Sequence, residues 1–188
     1  MLSRMDMFTA EERSALMARI RSSGTTPEVR LYELVRAILG NRWRIDRNAR
    51  HLPGKPDVLV PSLALAVFAD GCFFHGCAEH SRVPKSNADY WGPKIARNAS
   101  RDAASRRQLR ELGLEVWRFW EHDLRGRPLE STQASLKVRL AQRALHVPPA
   151  QGRLLYRRAT RQLEAQDHPS VARNGDRRAP TSGQQSYS

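Results

Sequence analysis

Residues 63–80 read LALAVFADGCFFHGCAEH. The first eight are apolar at nearly every position and end in Asp70. Such a run lacks the alternation of a half-exposed strand, so it predicts a strand covered on both faces. Behind it lie both cysteines of the chain, Cys72 and Cys77, followed by His80 in a C-x4-C-x2-H spacing. Thiolate and imidazole are ligands that zinc prefers, and a closed structural site takes four of them. His122 is the candidate fourth ligand, because it ends LEVWRFWEH (114–122), a strand expected beside LALAVFAD. The alternative is a pair of free thiols packed as small core residues. His75, between the cysteines, falls outside the set. A histidine beside an acid can act as general acid or base near neutral pH, the alternative being a satisfied surface histidine.

Outward from this stretch, the pattern predicts a small sheet with helices. DVLV (57–60) follows the turn-like LPGKP, and Pro61–Ser62 suit a hairpin into LALAVFAD. WRIDR (43–47) is a further short strand. A helix is expected over 9–24, where Thr9 and Glu12 form a capping box. A second starts in TTPEVRLYELVRAILG, with Thr26 as cap and Gly40 as stop. NADYWGPKIARNASRDAASRRQLRELG (87–113) is helical in pattern, with a break expected near Gly92 because Pro93 follows. LESTQASLKVRLAQRAL (129–145) is the last amphipathic helix. After Val147 the chain becomes rich in Arg, Gln, Gly and Ser. That composition predicts a mostly disordered tail with one short helix over 154–163, dispensable for folding. The fold class is therefore mixed α/β, a small sheet flanked by helices.

Charge narrows the function. The 188 residues carry 32 Lys and Arg against 19 Asp and Glu, a net of +13. A domain this basic suits a polyanion, although an arginine-rich proteome gives the same excess. No apolar run approaches the roughly 18 residues of a membrane span. The acidic, weakly apolar N-terminus does not read as an export signal, so a cytoplasmic, nucleoid-associated location is expected, where a disulfide between the two cysteines is disfavoured. Asp57 opens DVLV and Asp70 ends the next strand. Two strand-borne carboxylates near a turn can hold Mg²⁺, and Glu28 stands ready on a neighbouring helix. Mg²⁺ there would serve phosphodiester hydrolysis. Each acid taken alone reads as a strand-end or cap residue.

LPGKPD, VFADGCFFHGC, VPKSNADYWGPKIARNASRD and LGLEVWRFWEHDLRG, in that order, resemble the very short patch repair (Vsr) endonuclease family over about residues 10 to 145. The resemblance implies a restriction-endonuclease-like fold with a structural zinc site. It also implies an Mg²⁺-dependent enzyme that nicks one DNA strand beside T:G mismatches left by deamination of 5-methylcytosine. Asp57 would hold the Mg²⁺ together with the backbone carbonyl of Ala69. His75 would be catalytic, with Glu28 and Asp102 as the acids that support it or the metal's waters. Cys72, Cys77, His80 and His122 would hold Zn²⁺. Phe73 and Phe74 would wedge into the base stack, with Met17 entering from the other groove. The chain then divides into a DNA-contacting arm (1–24), an endonuclease domain (25–147) and a basic tail (148–188). It is expected to act as a monomer on mismatched double-stranded DNA, with mismatch-repair proteins as further partners. Two departures stand out: Phe74 replaces the tryptophan of better-known members, and no Glu-x-Lys follows the metal-binding aspartate as in most restriction enzymes. The alternatives are a nuclease of the same fold with another DNA substrate, or a zinc-stabilised DNA-binding protein that does not cut.

Overall fold

The computed structural model describes residues 24–82 and 88–167. The expected N-terminal helix, and Met17 with it, lie outside the described residues. Four strands form one sheet in the order β1-β2-β3-β4, with β1 (Asp46–Arg47), β2 (Val58–Val60), β3 (Leu65–Asp70) and β4 (Glu115–Trp120). The first three are antiparallel neighbours and β4 runs parallel to β3. Parallel neighbours need a long crossover, supplied here by helix α2 (Ala88–Glu111). The predicted strand WRIDR shrinks to its last two residues, and Asn48 at φ 49° ends it. Its pairing continues only as Asn48 N–H to the Asp57 carbonyl and Ala49 N–H to the Pro56 carbonyl.

β3 is covered on both sides, as its unbroken apolar run requires. Leu65 and Val67 face one cluster with Trp117, Phe119, Leu31, Val35, Leu136 and Leu140. Those last four come from α1 (Thr26–Leu39) and α3 (Pro128–His146). Ala66 and Phe68 face a second cluster with Val116, Leu109 and Ala159. Helix α1 is capped one residue earlier than the sequence suggests. Thr25 is the N-cap, and its hydroxyl donates to Glu28 Oε1 at 2.9 Å, while the Gly24 N–H donates to Glu28 Oε2 at 2.7 Å. Pro93 does not break α2. A proline removes one backbone bond there, and buried Trp91 and Ile95 anchor the helix on both sides of it.

The expectation of a mostly disordered segment after Val147 does not hold through Asp167. Residues Pro149–Asp167 form a fourth helix, α4, against the 3₁₀ turn Pro61–Leu63 that joins β2 to β3. Gly152 makes the approach possible: a Cβ there would lie 2.0 Å from the Ser62 carbonyl oxygen. Ala159 is fully buried, with Tyr156 and Leu163 packed on the same cluster. Gly152→Ala is therefore expected to lift α4 off the turn and lower stability by about 1–3 kcal/mol, as overpacking against backbone does. A chain ending at Val147 should melt below one ending at Asp167. Thermal unfolding followed by circular dichroism checks both, and unchanged midpoints would count against the packing.

Candidate active site and metal centre

Two residue groups converge on the end of β3, and both draw on the Gly71–His80 loop. In the first, Cys72 and Cys77 are buried, and four ligand atoms from Cys72, Cys77, His80 and His122 all lie within 4.8 Å of one another. His122 Nδ1 is 3.2 Å from Cys72 Sγ and 3.7 Å from Cys77 Sγ, and His80 Nδ1 is 3.7 Å from Cys77 Sγ. A tetrahedral zinc with Zn–S and Zn–N bonds of about 2.3 and 2.0 Å sets its ligands roughly 3.3–3.8 Å apart, so the donor set fits. Burial pushes both thiols up. At Cys77 the hydrogen bonds of the His80 side chain and of the His80 and Glu79 backbones outweigh it and hold the thiol below its usual range. At Cys72 burial prevails and the thiol sits above it. The far nitrogen of His122 lies 3.4 Å from Asp123 Oδ1, the kind of carboxylate partner that orients a ligating imidazole.

The loop itself is tightly wound. Cys77 N–H donates to the Cys72 carbonyl and Ser81 N–H to the Cys77 carbonyl. Gly76 reverses the chain at φ 68°, where a Cβ would also press on Ile95 at 3.2 Å. Phe73 and Phe74 are half-buried between the two cysteines. They rest edge-on against each other at 5.1 Å, and Phe73 meets the buried Trp91 at 4.9 Å. The carbonyl of Phe74 accepts from Asn98 Nδ2 at 3.1 Å. The pair thus has an aromatic floor on α2 while keeping part of its surface open.

The second group lines a cleft of about 480 Å³ between β3, α1, α2 and the loop over 48–57. Glu28, Asp57, Ala69, Asp70, His75 and Asp102 all border it. The structure brings every candidate catalytic residue into this one cleft. Asp57 Oδ2 accepts from the Ala69 N–H at 2.7 Å. Burial pushes the Asp57 carboxyl up to about 7; the Ala69 bond opposes this, and the negative charges of Glu28 and Asp70 add to it. Such an under-compensated carboxylate is a donor suited to a hard divalent cation. His75 Nδ1 is 2.5 Å from Asp102 Oδ2. That hydrogen bond raises the imidazole above its ordinary range against the opposing effect of burial. Burial also pushes Asp102 up, but the bond to His75 prevails and holds it below the usual carboxylate range.

Sequence reading offered Asp70 with Asp57 as a carboxylate for Mg²⁺ and missed its arginine partners. Asp70 is buried and pairs with Arg118 through Oδ2, while Arg106 Nη1 stands 3.6 Å from the same oxygen. The Arg118 guanidinium lies 3.7 Å from the Trp120 ring centroid and reaches the His75 carbonyl at 3.5 Å. An arginine between Val116 and Trp120, on a strand expected to lie beside the one that ends in Asp70, was the available signal. The rim is basic: Arg50, Lys55 and Arg101 line it with Arg106.

Residues 5–80 match the family described as DNA mismatch endonuclease Vsr. The type II nicking enzyme V.NaeI of Lentzea aerocolonigenes is 42% identical over 59% of this chain and 68% of its own length. V.XorIIP of Xanthomonas oryzae pv. oryzae, also a type II nicking enzyme, is 39% identical over 63% of this chain and 86% of its own. The DNA mismatch endonuclease Vsr of Escherichia coli K12 is 34% identical over 72% of this chain and 85% of its own.

Proposed function

Since this chain belongs to the Vsr family of DNA mismatch endonucleases, we propose that it nicks one strand of duplex DNA beside T:G mismatches that arise from 5-methylcytosine deamination. The observation that carries the reading is the convergence of Asp57, His75, Asp102 and Glu28 in a single cleft rimmed by cations. A module that only binds DNA has no use for that set. The fold assigned with it is the restriction-endonuclease-like one, with Zn²⁺ on Cys72, Cys77, His80 and His122. The arm over residues 1–24 and Met17, with Phe73 and Phe74, belong to mismatch recognition.

In this reading Asp57 and the Ala69 carbonyl would hold Mg²⁺, which would supply Lewis acidity to the scissile phosphodiester. The remaining steps fall to side chains of the chain. Asp102 fixes the His75 ring through Nδ1, so Nε2 is the atom left to exchange a proton with the attacking water or the leaving oxygen. Asp70, Arg106 and Arg118 hold the strand end and the His75 backbone in register with the cleft. Glu28 accepts from the Gly24 N–H and the Thr25 hydroxyl at the start of α1, which fixes its carboxylate at the cleft wall. Phe73 and Phe74 open the base stack at a wobble pair, where unstacking costs less.

His75→Ala is expected to lower single-turnover nicking by about 10²–10⁴-fold, the usual worth of a positioned acid or base, with DNA affinity retained. Asp102→Asn should show a smaller loss of the same kind. Near-normal nicking by the His75 variant would place the proton transfer elsewhere.

A second reading is a nicking enzyme of the same fold directed at another DNA substrate, favoured by relatives named as type II nicking enzymes. One experiment separates the two. The full chain with Mg²⁺ is given duplexes carrying T:G in varied flanking sequences, beside matched T:A duplexes. Cleavage confined to T:G duplexes supports the mismatch reading. Equal cleavage of paired DNA supports the second, and no cleavage of either refutes both.

A further inference from the structure

We infer that helix α4 is an additional DNA-binding surface, a row of arginines that engages the phosphate backbone of the duplex on one flank of the nicked site. The inference rests on the cleft being the DNA-cleaving site. Helix α4 belongs to the part of the chain beyond about residue 145, outside the motifs of the family resemblance. Its inner face is made of Gly152, Tyr156, Ala159 and Leu163. Arg153, Arg157 and Arg161 recur every four residues, about 6 Å apart along the axis, and all three are exposed. Arg158 adds a fourth exposed cation beside them. None of these arginines enters an ion pair among the described residues, whereas Arg106, Arg118, Arg125 and Arg143 all do. Among the described residues they are charge without an acidic partner.

The helix is also latched to the cleft. Tyr156 OH lies 2.8 Å from His51 Nε2, with the two rings edge to face. His51 follows Arg50, which lines the cleft, in the same loop as Lys55. Arg153 stands one turn before Tyr156 and Arg157 directly after it, so the row starts beside that latch. The Gly152 contact with the Pro61–Leu63 turn keeps the helix at a fixed distance from the sheet. A rigid cationic row joined to a basic cleft rim fits a second stretch of polyanion continuous with the first. Duplex DNA, with a phosphate about every 3.4 Å of axis on each strand, supplies that.

The test uses the full chain and the triple variant Arg153→Gln, Arg157→Gln, Arg161→Gln, whose positions face solvent. Binding is measured against salt on T:G duplexes extended by about 15 base pairs, roughly 50 Å, on one side or on the other. Loss of three phosphate contacts is expected to reduce the slope of log affinity against log salt by about 2–3, on one extension only. Single-turnover nicking at saturating enzyme should stay at the level of the unmodified chain. An unchanged slope on both extensions, or an equal loss on both, would overturn the inference. A failure of the underlying reading looks different: the unmodified chain itself would then fail to nick either duplex, whatever the slopes.

Discussion

Asp57→Asn is expected to reduce nicking by about three orders of magnitude or more, because the change removes a charged oxygen ligand from the proposed Mg²⁺ and the Lewis acidity that comes with it. The same substitution should stabilise the protein in buffer free of divalent cations. Burial holds the Asp57 carboxyl at about 7 in the folded state, far above an unfolded aspartate. A raised carboxyl contributes stability that is full below the ordinary aspartate range and is lost as pH rises through about 7. At pH 8 the ionised Asp57 should then cost on the order of 4 kcal/mol, which asparagine avoids. Adding Mg²⁺ should raise the melting midpoint of the unmodified chain at pH 8 and leave that of Asp57→Asn in place. Melting curves at pH 5 and pH 8, with and without Mg²⁺, combined with single-turnover nicking, read all of this. A variant that nicks normally, or that still gains stability from Mg²⁺, would move the cation to other residues.

Cys72→Ala should have the second large effect. The purified chain is expected to carry about one zinc, and the variant to lose most of it, since a tetrahedral site missing one thiolate is no longer closed. The site ties the end of β3 to the segment after β4 through His122, and the loop it closes carries Phe73, Phe74 and His75. Losing it should lower thermal stability by several kcal/mol, in the range of a structural metal's worth, and reduce nicking at least about 100-fold through His75. Metal analysis, melting and nicking on the same preparation check this together. Retention of full zinc by the variant would exclude Cys72 as a ligand.

Much of the sheet could be read from residue pattern alone. The unbroken apolar run of 63–70 implied burial on both faces, and β3 has α1 and α3 on one side and α2 and α4 on the other. Side chains alternate along LEVWRFWEH, and Trp117 and Phe119 sit in one cluster while Val116 sits in the other. Short-range spacing also brought Cys72, Cys77 and His80 together, because three ligands within nine residues need only a loop. The order of motifs identified the family.

Tertiary structure decided the rest. His75 and Asp102 are 27 residues apart and meet only because α2 crosses back over the end of β3. Asp70 and Arg118 pair because β3 and β4 are parallel neighbours, with Phe68 beside Arg118 and Asp70 beside Trp120. No periodicity encodes such a pair. Pro93 was read as a helix break, but one lost backbone bond is outweighed by Trp91 and Ile95 held in the core. Helix α4 was expected only as a short piece over 154–163, and its full length and packing were hidden for a different reason. Its closest approach is made by Gly152 and Ala159, small residues that bring the helix against the 3₁₀ turn and the core, with Tyr156 and Leu163 packed beside them. Composition registers apolar side chains and not close approach, so an arginine-rich segment read as mostly disordered around a short helix is a packed helix over Pro149–Asp167.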